Sequence, residues 1–284
     1  MNKGYIKFWG VRGSNPTPDI DKIKYGGDTS CIEIRTALND AIILDMGTGI
    51  RNLGKEIIND PSYPKEINIF LSHYHWDHIF GFLGFAPLFD PSFIFNMYGK
   101  KDVMSPNQIM DYIQNPTFWP IDMSMLNAKI NLNEFPSNNL QIDYNINVLS
   151  TPHEHPNGAN TYRFQLGDTV IVYATDCEHP DNHLNQNVID IAKDTDILIH
   201  DAQYKPDQIH NHKGWGHSSW KNCVEVAKNA KVKQLVLFHH NPEHGNSILE
   251  GIQQEAQNEF HNTISAKEGM EILIPKEVSE SVIS

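Results

Sequence analysis

A chain of 284 residues with 39% apolar content can bury one sizeable core, at the upper end of a single α/β domain. Its 35 acidic against 22 basic side chains leave a net charge of −13 and no Lys/Arg-rich block, which argues against tracking a long nucleic-acid backbone by counterion release. Cys31, Cys177 and Cys223 are widely separated and form no C-x-x-C, so a reducing compartment is expected rather than a disulfide framework, and no stretch reaches the roughly 18 to 20 apolar residues of a membrane span. The protein is expected to be soluble and cytoplasmic, without a membrane partner.

In chain order, apolar runs predict strands at residues 6–9, 31–35, 41–44 and 67–71, with a helix at 50–58. The fourth run leads directly into Ser72-His73-Tyr74-His75-Trp76-Asp77-His78, which packs three imidazoles and one carboxylate into six positions. His73 and His75 alternate on a short extended stretch and can reach one ion. Asp77 and His78 fall where the chain turns into the next element and can reach a second. Imidazole and carboxylate suit Zn, Mn or Fe, and paired ions about 3.5 to 4 Å apart clamp both oxygens of an in-line displacement. Two divalent ions and a hydrolytic reaction are therefore expected, zinc being the first choice.

Residues 91–135 are the least regular, with a helix at 107–114 followed by Asn115-Pro116-Thr117-Phe118-Trp119-Pro120, and read as an insertion over the site. Further strands are predicted at 142–149, 162–166, 170–174, 197–199 and 235–238, with helices at 218–227 and 248–259. Strands dominate first and then alternate with helices, an order that suits two sheets with helices outside them in an α/β fold. No repeat, low-complexity tract or linker divides residues 1–284, so one domain is expected. Apolar runs ending in polar donors recur: His153 and His155, Asp176, His200 with Asp201, and His239 with His240 all follow predicted strands.

The pattern His73-x-His75-x-Asp77-His78 resembles the signature of the metallo-β-lactamase superfamily of hydrolases. That resemblance implies an αββα sandwich with the metals at the edge of two facing sheets. One ion would be held by His73, His75 and a later histidine, the other by Asp77, His78 and a last histidine, with a bridging aspartate. The third ligand is then His155 or His153; His155 is preferred because His-Pro before a glycine turn resembles the same element in a phosphodiesterase-like subgroup. Asp176, at a strand end, takes the bridging place. His239 lines up with the final histidine, which leaves His240 as a substrate contact or a core histidine. Asp45-Met46-Gly47 resembles the superfamily's first motif, a turn behind the ligands. Residues 8–18 and 25–30 resemble loops flanking the site, where glycines let backbone N–H groups approach an anion, ordinary turns being the equal alternative. Asp28 stands where the subgroup more often has Asn.

Reaction type is implied by two further elements. His200-Asp201-Ala202-Gln203 and Gly216-His217-Ser218-Ser219 resemble the His-Glu-Ala-Thr and His-Ser-Thr elements of the ribonuclease Z branch, with Asp201 in place of Glu and Ser219 in place of Thr. Carried over, Asp201 holds His217 as the imidazolium that protonates the leaving alkoxide, while a hydroxide bridging the ions, bound partly through Asp77, attacks phosphorus. The Gly/Pro- and Lys-rich arm of the tRNA-maturing members is missing. The pattern over most of the chain resembles bacterial and phage cyclic-nucleotide phosphodiesterases, including those of the anti-Pycsar type. The implied substrate is a small anionic phosphodiester, 3′,5′-cyclic nucleotides foremost, and not a large nucleic acid. Phe118 and Trp119 are then candidates to stack the base, or to form the contact of an expected homodimer. The alternatives are a ribonuclease Z-like processor of RNA and a hydrolase of another small ester.

Overall fold

Period-two alternation sets which side of each strand is buried, and two sheets result. In the computed structural model, which describes residues 3–100, 104–136, 139–180 and 183–274, the first half supplies β1 (Tyr5–Gly10), β2 (Cys31–Arg35), β3 (Ala41–Leu44), α1 (Ile50–Asn59), β4 (Glu66–Phe70), α2 (Trp76–Ile79), β5 (Ile94–Gly99), α3 (Pro106–Ile113) and β6 (Lys129–Glu134). The second half supplies β7 (Asn139–Gln141), β8 (Ile146–His153), β9 (Ala159–Leu166), β10 (Thr169–Ala174), α4 (Gln186–Ile191), β11 (Ile197–Asp201), α5 (Trp220–Ala230), β12 (Gln234–Phe238), α6 (Asn246–Glu259), β13 (Thr263–Ser265) and β14 (Glu271–Leu273). One seven-stranded sheet runs β14-β1-β2-β3-β4-β5-β6, the other β13-β12-β11-β10-β9-β8-β7.

The inward residues Ile6, Phe8, Ile32, Ile34, Ile42, Leu44 and Phe70 of the first sheet pack against Phe164, Ile171, Tyr173, Ile199, Val236 and Phe238 of the second, with no exposure. Each such side chain contributes about 1.5–3 kcal/mol by leaving water, which makes this layer the main source of cohesion. The outward faces are also apolar, because helices cover them. Ile43, Ile67 and Ile69 lie beneath Ile50, Leu53 and Ile57 of α1, one stripe at helical spacing. Val172, Leu198, Leu235 and Leu237 lie beneath α4, α5 and α6. The layers are thus αββα, and no helix among the described residues is long and apolar enough to cross a membrane.

Two expectations need correction. Residues 91–135 are not wholly an insertion: β5 pairs in parallel with β4, and β6 in parallel with β5, and the two extend the first sheet. Residues 104–128 between them, with α3, lie outside its strands. The run expected at 142–149 begins as a strand only at Ile146, because the Asp143 carboxylate accepts from the backbone N–H groups of Asn145 and Ile146 and ties residues 143–146 into a turn. β10, β11 and β12 are mutually parallel, so their C-terminal ends reach one edge together, where the site is built.

Candidate metal centre

Strand ends deliver the polar groups. Asp45 after β3, Asp176 after β10 and His239 after β12 all take left-handed backbone conformations (φ 59°, 51° and 57°), which are strained in most residues but best tolerated by Asp, Asn and His. Beyond β4, His75 stands extended (ψ 153°) at the N-cap position of α2, and the chain then coils, so that Asp77 and His78 lie in the helical turn. This is the local change of direction that the alternation of His73 and His75 predicted.

His73, His75 and His155 offer ligand atoms within 4.8 Å of one another, and so do Asp77, His78, Asp176 and His239. Asp176 faces both groups. Its Oδ1 lies 3.7 Å from His73 Nε2 and 3.9 Å from His155 Nε2, while its Oδ2 lies 3.1 Å from His78 Nε2 and 3.2 Å from His239 Nε2. Asp77 Oδ2 is 3.3 Å from His78 Nε2 and 3.1 Å from His239 Nε2.

The donors fit divalent cations on their own geometry. His155 Nε2 stands 3.0 Å from His75 Nδ1, His78 Nε2 stands 3.2 Å from His239 Nε2, and the buried Nε2 of His73 has no hydrogen-bond partner among the described residues. Imidazole nitrogens aimed at one another are stable only with a proton or a cation between them. The far ring nitrogens are anchored: His78 Nδ1 bonds Asp45 Oδ2 at 2.8 Å and His155 Nδ1 donates to the Gly216 carbonyl at 2.9 Å, which leaves Nε2 of each as the ligand atom. Burial opposes ionisation of Asp77 and Asp176, yet His78 beside the first and His239 beside the second hold both carboxyls well below the usual carboxylate range. Burial pushes His73 in the opposite sense, well below the ordinary imidazole value, so its ring is neutral and able to ligate.

Next to these donors, His217 Nδ1 bonds Asp201 Oδ2 at 2.7 Å and lies 3.8 Å from Asp176 Oδ1. Burial pulls the His217 imidazole down, but the Asp201 charge and hydrogen bond, with Asp176 and Asp77, outweigh it and raise the ring to about 9. The second oxygen of Asp201 accepts from the N–H groups of Gln203 and Ser218, so the carboxylate is itself held. Ser219 then caps α5 through a reciprocal bond with Asn222.

A carboxylate outside the predicted site residues fastens this loop. Glu178 accepts from the backbone N–H groups of Gly214 and Gly216 at 2.8 and 2.7 Å. Gly216 has φ 86° and lies so close to His155 that a Cβ would fall 1.9 Å from its Nδ1, so only glycine fits. No local signal identifies Glu178, since its partners lie 36 and 38 residues away. Asp45 proves more connected than a turn residue, accepting from Ser72 and from Tyr173 Oη as well as binding His78. The N-terminal loop reaches the site through Ser14, whose N–H donates to Asp77 Oδ2 at 2.7 Å. Asp28 accepts from Thr48 and Asn52, a structural use of its carboxylate.

The neighbouring histidines have different surroundings. Both nitrogens of His153 are used inside the protein, by Thr161 Oγ1 and the Asp176 carbonyl, whereas His155 faces His75. His240 is a correction to the substrate-contact reading: its Nε2 bonds the Ala266 carbonyl, its ring packs edge-on to Tyr25, and burial pushes it down to about 3, as for a neutral core histidine. Phe118 is 73% exposed, and neither it nor Trp119 borders the cavity beside the donors, which is walled instead by Tyr74, Met104, Ile109 and Pro156. Cys177, His179 and His200 form another close trio. There the Asn185 N–H donates to His179 Nδ1, which puts the proton of the neutral ring on Nε2 and leaves that ring no free lone pair for an ion.

Two facing mixed sheets with outer helices and a His/Asp cluster at their edge define a metallohydrolase architecture, and residues 41–240 match the model of the beta-lactamase superfamily domain. The chain belongs to the metallo-β-lactamase superfamily of hydrolases. Ribonuclease Z of Thermoplasma acidophilum is 24% identical over 94% of this chain and 95% of its own length. Among solved structures, the metallo-beta-lactamase fold protein YhfI from Bacillus subtilis superposes at a TM-score of 0.73 with 18% identity, over 96% of this chain and all of the other (100%). Yeast PDE1 superposes at 0.66 with 14% identity, over 96% of this chain and 100% of its own.

Proposed function

We propose that the chain is a metal-dependent phosphodiesterase of small anionic diesters, with 3′,5′-cyclic nucleotides the foremost substrates, acting in the cytoplasm as a homodimer. The observation that carries this reading is the buried His217–Asp201 pair at 2.7 Å beside the donor cluster. A proton donor fixed there serves a reaction that must expel a poorly stabilised alkoxide. On this reading His73, His75 and His155 hold one ion, Asp77, His78 and His239 the other, and Asp176 is shared, with zinc the first choice and manganese or iron as substitutes. Bound there, the ions would supply positive charge to the phosphoryl oxygens and a nucleophile at neutral pH.

The chain's own groups do the rest. Asp201 orients His217 and keeps its proton, Glu178 and Gly216 hold the loop that presents it, and the Ser14 N–H fixes the Asp77 carboxylate. The net charge of −13 disfavours a long polyanion but leaves one phosphate free to enter a cationic pocket. Phe118, 73% exposed and away from the donors, suits a contact between two copies better than base stacking.

A second reading is an RNA-processing nuclease, favoured by the near full-length likeness to ribonuclease Z. Incubating the metal-loaded protein with cAMP, cGMP, cCMP and cUMP beside a precursor tRNA separates the two. Ring opening of a cyclic nucleotide with intact tRNA is expected; trimmed tRNA with intact cyclic nucleotides would replace the first reading by the second.

A further inference from the structure

A cavity of about 230 Å³ opens beside the donor cluster and shares His73 and His75 with it. Its remaining walls are mostly apolar, namely Tyr74, Met104, Ile109 and Pro156, with the exposed Asn157 at the border. An apolar hollow with one or two placed polar groups is the usual form of a site for the organic part of a small molecule. Both main walls are held in place. Tyr74 Oη donates to the Lys100 carbonyl at 2.8 Å, and Gly99 makes room for the ring, since a Cβ there would lie 2.4 Å from that oxygen. Ile109 stands on α3, whose start is fixed by the reciprocal Ser105–Gln108 cap and whose Met110 and Ile113 are buried in the outer core.

The hollow does not adjoin the general acid. His75, His155 and His217 follow one another at ring-centroid distances of 4.8 and 5.5 Å, with the hollow against the first ring and Asp201 bonded to the last. A diester lying across the donors with its departing oxygen at His217 therefore directs its other substituent toward the hollow.

We infer that this hollow is the subsite for the organic group that stays on phosphorus, and that the group it fits is a flat, nucleobase-sized ring, packed against Tyr74 and Ile109 and met at its polar edge by Asn157. The inference rests on the phosphodiesterase reading above. In a cyclic nucleotide both ester oxygens belong to one nucleoside, and its base is then the part left to fill the space.

Two esters with the same leaving group isolate the remaining substituent: thymidine 5′-(p-nitrophenyl phosphate) and methyl p-nitrophenyl phosphate. The zinc-loaded full chain is expected to favour the thymidine ester in kcat/KM, and both Tyr74→Ala and Ile109→Trp, the latter filling the hollow, should lower that preference roughly tenfold or more, as loss of base stacking does. Unchanged metal content and circular dichroism confirm that each variant is folded. No preference in the natural chain, or a preference that neither variant alters, overturns the subsite. If no diester is cleaved at all, the phosphodiesterase reading fails on its own, and calorimetric titration then decides the subsite. Thymidine 5′-monophosphate binding more tightly than methyl phosphate, and less so in Tyr74→Ala, supports it; equal binding overturns it.

Discussion

At the scale of single residues the decisive groups are those that hold other groups. Asp201 holds His217, Asp45 holds His78, and the Gly216 carbonyl holds His155, each by one short hydrogen bond to the ring Nδ1. Such partners fix the tautomer and the aim of an imidazole. His217→Ala should lower kcat for diesters with poor alkoxide leaving groups by roughly 10² to 10⁴, while sparing activated aryl esters that need no proton. Glu178→Ala, which frees the loop without touching the acid, should show the same leaving-group dependence at roughly tenfold, with Glu178→Gln partly restoring the rate through its one remaining acceptor oxygen. Losses of equal size on alkoxide and aryl esters, in either variant, would remove the acid role from His217.

Elements are tied to one another around the site by the segment between β13 and β14. The Ala266 carbonyl accepts from His240 Nε2, Glu268 N–H donates to the Tyr25 carbonyl, and Glu268 Oε1 accepts from Asp28 N–H at 2.6 Å, so the segment clasps the N-terminal loop that carries Ser14. Burial pushes the Glu268 carboxyl up to about 7, Asp28 adding to the rise while Arg12 and the backbone N–H groups oppose it. The folded state therefore binds more protons than the unfolded state between the ordinary glutamate value and about 7. Stability attributable to Glu268 is greatest at the acid end of that window and declines as pH rises through it. Thermal melts of the natural chain and of Glu268→Gln check this. The natural chain should lose ground to the variant as pH rises across the window, and a difference that stays constant, or moves the other way, removes Glu268 as the cause.

For the whole molecule, the site exists only because two sheets close on each other. The first sheet brings His73, His75, Asp77 and His78; the second brings His155, Asp176, Asp201 and His239. Ions bound across that seam should therefore act as cross-links between the sheets, stabilising the folded state by about 3 kcal/mol when free metal stands near 100 times its Kd. Metal analysis after gentle purification is expected to find two divalent ions per chain, with Asp77→Ala emptying mainly the second position and chelation lowering the melting temperature. A stoichiometry of one that added Zn or Mn does not raise would defeat the two-ion arrangement.

The donors from His73 to His78 were legible because they are contiguous: a strand period followed by a helical turn sets their directions whatever the rest of the chain does. Asp176, Asp201 and His239 were legible for a related reason, each standing directly after a strongly apolar run. The layered α/β fold followed from the same runs. β5 and β6 were not legible, since Asn96 and Asn131 pair across them, asparagine is a poor strand former, and only the pairing of β5 with β4 and of β6 with β5 makes strands of both. The different neighbours of His155 and His153, the burial of His240 against Ala266, the clasp of Glu178 on Gly214 and Gly216, and the hollow beside Tyr74 were likewise decided by tertiary structure. Each of these depends on partners brought close by the closure of the sheets or the packing of α3, and a contact between distant segments leaves no period, spacing or composition in the sequence from which it could be read.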